Sequence, residues 1–353
     1  MKAGKSLVEL AKEIERQKNV KEDYLADTRQ MTMSHGITGL GLALPDREPF
    51  TIGEIAHDQI GAKLGIPAKF YDRCRADHPD LLVHNVNALF QREPTRQMIR
   101  TLDGSARAFL SDRYRPIDND EIAEAILPII GGWMQDGATV ESAEITERRM
   151  YIKVVNPRIQ TEVVPGDVVQ SGIVISNSET GMGSVSVMPM VFRLVCSNGM
   201  IRADAGQRKI HVGRANEADS NFVLYRDETV AADDKAFIMK LQDVVRSTAD
   251  AAHFNSIVEA MRGAREAKIT SDVPAVVQLV AKAHGLTEGE GKGVLDHLIR
   301  GEELSLYGLA NAVTRHAHDV ETYDRSTELE IIGFNVLSMG RSAWHRINTN
   351  AVD

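Results

Sequence analysis

Residues 92–115 hold six arginines, Arg92, Arg96, Arg100, Arg107, Arg113 and Arg115, against Glu93, Asp103 and Asp112, with Phe109 and Tyr114 among them. Guanidinium groups neutralise phosphates and stack on bases, and aromatic rings give further stacking platforms. That mixture suits single-stranded nucleic acid. In a strand, residues two apart share a face, so Arg107, Phe109, Arg113 and Arg115 are expected along one side of a sheet. A second basic run, residues 193–214, carries Arg193, Arg202, Arg208, Lys209 and Arg214 against Asp204 alone. The candidate nucleic-acid contacts are therefore Arg96, Arg100, Arg107, Phe109, Arg113, Tyr114, Arg115, Arg193, Arg208 and Lys209. A competing reading pairs the arginines with Asp103, Asp112, Asp118 and Asp120 and sends Phe109 to the core, as many surface arginines are paired.

The net charge of −9 does not contradict a basic surface, because the charge is segregated. Six acids and two bases fill residues 217–235, and ten acids and four bases fill 285–330.

Other chemistries find less support. The segment IAHDQIGAKLGIPAKFYDRC has the outline of a helix-turn-helix, with Ala68, Lys69, Asp72, Arg73 and Arg75 on the second helix; a purely structural helical hairpin is the alternative. Asp112, Asp118, Asp120 and Glu121, or Asp103 with Asp112 and Asp118, are the candidates for a Mg²⁺-dependent nuclease, which needs converging carboxylates. Asp118, Asp120 and Glu121 also suit a helix start, where acids complement the dipole. His316 and His318, two apart on a helix, point to different faces and make no metal pair. Cys196, in VFRLVCSNGM, reads as an inert thiol in an apolar strand. GxGxxG and the complete GxxxxGK[ST] fingerprint are both missing, which argues against a nucleotide-driven motor. Neither a cofactor nor a metal is expected.

These residues need elements to hold them. Leu7, Leu10 and Ile14 mark an amphipathic helix running towards Leu25, and Met31–Pro45 reads as a Gly-rich strand or loop. Thr51 with Glu54 reads as a capping box before a helix that breaks at Gly65-Ile66-Pro67; further helices follow from Pro67 and over 79–90. From Arg96 the period becomes two, and Asp103-Gly104 signals a hairpin. A helix over DNDEIAEAILPIIGGWMQDG and two more hairpins, turning near Thr146-Glu147 and at Ser178–Gly183, complete an antiparallel sheet with helices packed on it. After about Ala215 the chain is helical: one long helix through Ile238–Met261, then 273–284, 289–300 with a Thr287/Glu290 capping box, 305–318 and 325–337. The fold class is α+β. The expected organisation is an N-terminal helical segment and connector over 1–50, an α+β core over 51–215, and a C-terminal helical region over 216–353. Just two cysteines, Cys74 and Cys196, argue against a disulfide framework or a zinc site, and no apolar run approaches the ~20 residues that span a bilayer. The N-terminus has no apolar signal-like stretch, so a cytoplasmic setting without membrane contact is expected.

The runs AHDQIGAKLGIPAKFYDRCRADHPDLLVHNVNALF, IRTLDGSARAFLSDRYRPIDNDEI, VFRLVCSNGM and LYGLANAVTRHAHDVETYDRSTELE, in that order over residues 50–338, resemble a phage- and plasmid-encoded domain-of-unknown-function family. The resemblance implies a mobile-element protein acting inside a bacterial cell. It carries over no activity and no catalytic residue.

The expectation is a non-enzymatic DNA-metabolism protein that binds or anneals single-stranded DNA as a homo-oligomer. The alternatives are a protein-binding inhibitor of a host defence system, with its acidic helices as decoy, and the Mg²⁺-dependent nuclease.

Overall fold

The computed structural model describes residues 1–37, 39–114, 116–203, 227–248 and 251–350. At the N-terminus Ser6 and Glu9 form a capping box that starts α1 (Leu7–Val20), and Leu10 and Ile14 turn its apolar stripe inward. The helix stops at Val20 rather than running towards Leu25, because β1 (Glu22–Asp27) pairs along its whole length with a strand some seventy residues away. Long-range pairing overrides local helical period here.

The Gly-rich segment forms β2 (Thr32–Gly36) and β3 (Gly39–Ala43), followed by β4 (Phe50–Ile52). Thr51 therefore lies in a strand and caps nothing; Gly53 precedes α2 (Glu54–Lys63) without a side-chain cap. Next come α3 (Ala68–Asp77), α4 (Pro79–Arg92), β5 (Arg96–Leu102) and β6 (Ser105–Ser111). The β5–β6 turn is the expected one: Asp103 and Gly104 both take positive φ, 50° and 76°, as a two-residue hairpin loop requires. These strands make a six-stranded sheet ordered β1-β5-β6-β4-β3-β2, antiparallel apart from the β4–β6 pair. The sheet runs across residue 50. Its core includes Met33, Leu42, Ile60, Tyr71, Phe90 and Phe109.

A second sheet follows α5 (Asn119–Gln135). It is a continuous five-stranded meander of β7 (Thr139–Ile145), β8 (Met150–Glu162), β9 (Val168–Asn177), β10 (Ser186–Arg193) and β11 (Asn198–Ile201). The 96–111 hairpin is thus not part of the same sheet as the later hairpins. Its strands find partners in β1 and β4, while α5 separates it from the meander. Alternation along β8 and β9 sends Ile152, Val154, Ile173 and Ile175 towards α1, α5 and α6 (Asp227–Thr248). Tyr151, Val155 and Val174 take the other face.

That other side is covered by α7 (Ala251–Glu266), α8 (Val273–Ala283), α9 (Glu288–Arg300), α10 (Leu306–His316) and α11 (Tyr323–Leu337), with α12 (Arg341–Asn350) closing the chain. The long helix expected over 238–261 is helical on both sides, as α6 to Thr248 and α7 from Ala251, and residues 249 and 250 lie outside the described residues. The Thr287/Glu290 capping box is present. The architecture is α+β, with helices at both ends and two mostly antiparallel sheets. No helix among the described residues is long and apolar enough to cross a membrane.

Candidate nucleic-acid interface

The β5–β6 hairpin lies between β1 and β4, and both of its faces are covered. Most of its side chains are therefore interior. Phe109 is 4% exposed and stacks on Phe90, with ring centroids 6.0 Å apart and planes at 12°. It is a core residue and offers no platform to a base. Tyr114 is half-buried against Met98, Ala108 and Leu110, and its hydroxyl points to the Ser178 carbonyl at 3.4 Å.

Arg100 is 1% exposed. Its Nε donates to Asp23 Oδ1 at 2.8 Å, one Nη to the Glu179 carbonyl at 2.9 Å, and the other to Asp118 Oδ1 at 2.6 Å. Burial opposes the charge, but hydrogen bonds and attraction to Asp23 and Asp118 outweigh it and hold the guanidinium above its usual range. Arg107 donates to Glu179 Oε2 at 2.6 Å. Arg193 makes a two-pronged contact with Asp167, at 2.6 and 3.0 Å, and lies 5.7 Å from the Tyr307 ring centroid. These three arginines are spent on internal carboxylates, so none is the phosphate contact expected of it. Arg96 and Arg113 are exposed and make no ion pair among the described residues. Arg115, Arg208 and Lys209 lie outside the described residues.

Arg100 and Arg107 belong to a lock between the two sheets. Asp118 and Asp120 start α5, and Glu179 reaches in from the β9–β10 loop to accept the Asn119 N–H at 2.8 Å. Lys21, at the end of α1, places its ammonium 2.8 Å from Asp118, 2.7 Å from Asp120 and 3.3 Å from Glu179. Burial raises the pKa of Asp118 and Asp120, but Arg100 and Lys21 at Asp118, and Lys21 and Lys18 at Asp120, more than reverse it, leaving both below the usual carboxylate value. Of the carboxylates named for a nuclease, Asp118 and Asp120 come together, with Glu179, while Asp103 and Asp112 stay apart from them. Asp103 is exposed and pairs with Arg16 at 2.8 Å, and Asp112 is exposed. The triad that does converge, Asp118, Asp120 and Glu179, holds the Lys21 ammonium where a divalent ion would sit. Sequence reasoning named Asp118 and Asp120 but missed Glu179 and Lys21, because these come from distant segments.

Cys196 is likewise not in a strand. It occupies the β10–β11 turn, partly exposed, with Arg193 Nη1 3.1 Å from its sulfur.

Exposed basic side chains stand on several helices, and on α2 and α3 they flank a tight helical turn. These two helices are joined over residues 64–67, where Gly65 takes φ 64°, a left-handed conformation that suits glycine. The turn is closed by Ile66 N–H donating to Gly61 O at 2.9 Å, and the Pro67 carbonyl accepts from Phe70 and Tyr71. Gly61 gives the helices room: a Cβ there would lie 3.1 Å from the Tyr71 ring. His57 is buried with its Nδ1 2.9 Å from the Tyr71 hydroxyl; burial, with a smaller contribution from Arg75, lowers its pKa to about 4. Arg75 ties α3 back to Glu54 of α2 at 2.9 Å. Tyr71 and Cys74 are the buried residues of α3, which leaves Lys69, Phe70, Asp72, Arg73 and Ala76 exposed. The Arg73 guanidinium lies 5.8 Å from the Phe70 ring centroid. Lys63, Lys69 and Arg73 have no carboxylate partner among the described residues. A short helix with a narrow buried stripe and an open, polar outer face is the arrangement a recognition helix needs.

A family model described as a domain of unknown function, DUF932, matches residues 108–334, well over half of the chain. No curated protein and no solved structure matches. The α2–α3 unit precedes the matched region.

Proposed function

The chain belongs to the DUF932 family, and for this member we propose a non-enzymatic role in DNA binding, with α2–α3 as the reading unit. One observation carries the proposal: α2 and α3 form a helix-turn-helix whose second helix keeps Lys69, Phe70, Asp72 and Arg73 exposed while only Tyr71 and Cys74 hold it down. The N-terminal residues of such a helix contact base edges in a major groove, and flanking cations meet phosphates. Lys63, at the end of α2, supplies a further cation beside the turn.

This reading keeps DNA as the partner and moves the contact surface from the β5–β6 hairpin to α3. It favours duplex over single strand, because a base needs an open stacking face and Phe109 has none. Exposed Arg96 and Arg113 are secondary phosphate contacts in this account. The resemblance of residues 50–338 to phage- and plasmid-encoded proteins supports a mobile-element role in the bacterial cytoplasm.

The test is a titration of labelled duplex and single-stranded DNA at about 50 and about 200 mM salt, with and without Mg²⁺. Phosphate contacts release counterions, so specific duplex binding should weaken steeply over that range without strand cleavage. Preference for the single strand would remove α3 as the reading unit. Cleavage with Mg²⁺ would replace the proposal with a nuclease. Failure to bind either DNA at low salt would refute it and leave the protein-binding inhibitor.

A further inference from the structure

The C-terminal helices bring together three metal-ligating side chains that the DNA-binding reading does not use. His297 on α9, His316 at the end of α10 and Asp319 in the loop after it present ligand atoms that all lie within 4.8 Å of one another. His297 Nε2 is 2.6 Å from Asp319 Oδ2, and His316 Nδ1 is 3.4 Å from the same oxygen. The two imidazole centroids are 6.0 Å apart at 49°.

Two further features point to a ligand. His316 Nδ1 is buried and has no hydrogen-bond partner, which is costly for an imidazole nitrogen unless something else fills the direction it faces. The site is also built to admit that ring. Gly293 stands one turn before His297 on α9, and a Cβ there would fall 2.5 Å from His316 Nδ1. Glycine inside a helix is less stable than alanine, and here it makes the space that lets His316 approach His297.

We propose that His297, His316 and Asp319 bind a divalent transition-metal ion, with zinc the best chemical match. Two imidazoles and a carboxylate suit zinc, whose bonds to nitrogen and oxygen are about 2.0–2.2 Å, so tetrahedral ligand atoms stand roughly 3.3 Å apart. The His316–Asp319 separation already has that value. The His297–Asp319 hydrogen bond opens by less than 1 Å to reach it, a movement well within reach of the half-exposed Asp319 side chain. Three protein ligands leave a fourth position on the exposed side of Asp319. That is the pattern of an accessible zinc site; structural sites are closed by four protein ligands. His318 is not a member: its Nε2 lies 2.6 Å from the Met1 amine. The pairing that sequence spacing denies to His316 and His318 is supplied instead by a histidine from a neighbouring helix.

The experiment is calorimetric titration of the untagged, chelator-stripped full chain with Zn²⁺, with Co²⁺ added in parallel as a spectroscopic probe of ligand geometry. The expected result is one ion per chain and a tetrahedral cobalt absorption. His297→Gln keeps a donor for Asp319 and supplies no imidazole; His316→Gln removes the second nitrogen. Each should weaken binding by more than the roughly 10–100-fold that loss of an outer-shell partner costs, with unchanged circular dichroism. Exposed His345, changed to Gln, should leave binding unaltered. Binding of less than one ion per chain, or full binding that survives both variants, overturns the proposal.

Discussion

The β5–β6 hairpin and the α2–α3 hairpin both carry basic residues beside an aromatic, and they use them in opposite ways. On the strands, Arg100 and Arg107 turn towards Asp23, Asp118 and Glu179, and Phe109 joins the core. On the helix, Lys69 and Arg73 stay outside with Phe70 beside them. The cause is geometric. The middle of a strand with neighbours on both edges and cover on both faces has no free direction, so cations such as Arg100 there must meet internal acids. A short helix held by two residues leaves most of its circumference open. Basic composition becomes a binding surface only where the element carrying it has an unoccupied face.

The largest expected effect lies on the strands. Arg100→Met leaves the Asp23 and Asp118 carboxylates without their guanidinium, and breaking a buried pair costs about 3–5 kcal/mol. Urea denaturation should find a loss of that order, against a change within about ±0.5 kcal/mol for Lys69→Ala with Arg73→Ala, as befits exposed positions. Equal losses would erase the distinction between the two hairpins.

Acid should separate the hairpins next. His57 has a folded pKa lowered from 6.5 to about 4 by burial, so the unfolded chain takes up a proton before the folded one does. The stability it contributes is present above 6.5 and is lost as pH falls towards 4, by up to about 3 kcal/mol. Asp118 and Asp120 are also lowered, but from 3.8. Their contribution persists through that window and is lost only at still lower pH, as they protonate. Hydrogen exchange followed from pH 7 to 4 should show α2–α3 losing protection before the α5 N-terminus. The reverse order would contradict the burial of His57 as the weak point.

A smaller effect probes the helix crossing itself. Gly61→Val pushes a side chain into the Tyr71 ring and should cost about 1–3 kcal/mol, as overpacking does. Thermal unfolding checks it, and a neutral outcome would mean that the helices are not held at that distance.

Local signals in the sequence were good guides to local structure. Asp103-Gly104 turns as its type demands, Thr287 and Glu290 cap α9, and Gly65-Ile66-Pro67 separates two helices. What failed depended on partners far along the chain. Thr51 looks like a helix cap, yet its N–H donates to the Gly104 carbonyl across the sheet. The charge count over 92–115 is correct but cannot reveal that Glu179, 72 residues beyond Arg107, will claim it. His297 is absent from any motif containing His316 because the two meet only when α9 packs on α10. The helix-turn-helix outline was legible, as were Lys69 and Arg73 on its second helix; the Arg75–Glu54 pair that ties α3 back to α2 was not.

The most direct measurement is the salt dependence of duplex binding by the native chain and by the Lys69→Ala/Arg73→Ala variant. Each lost phosphate contact should reduce the slope of log K against log salt by about 0.9. The account predicts a variant that folds normally, binds duplex more weakly and has a slope shallower by roughly 1.8. A variant with the native affinity and the native slope would contradict α3 as the DNA-binding surface.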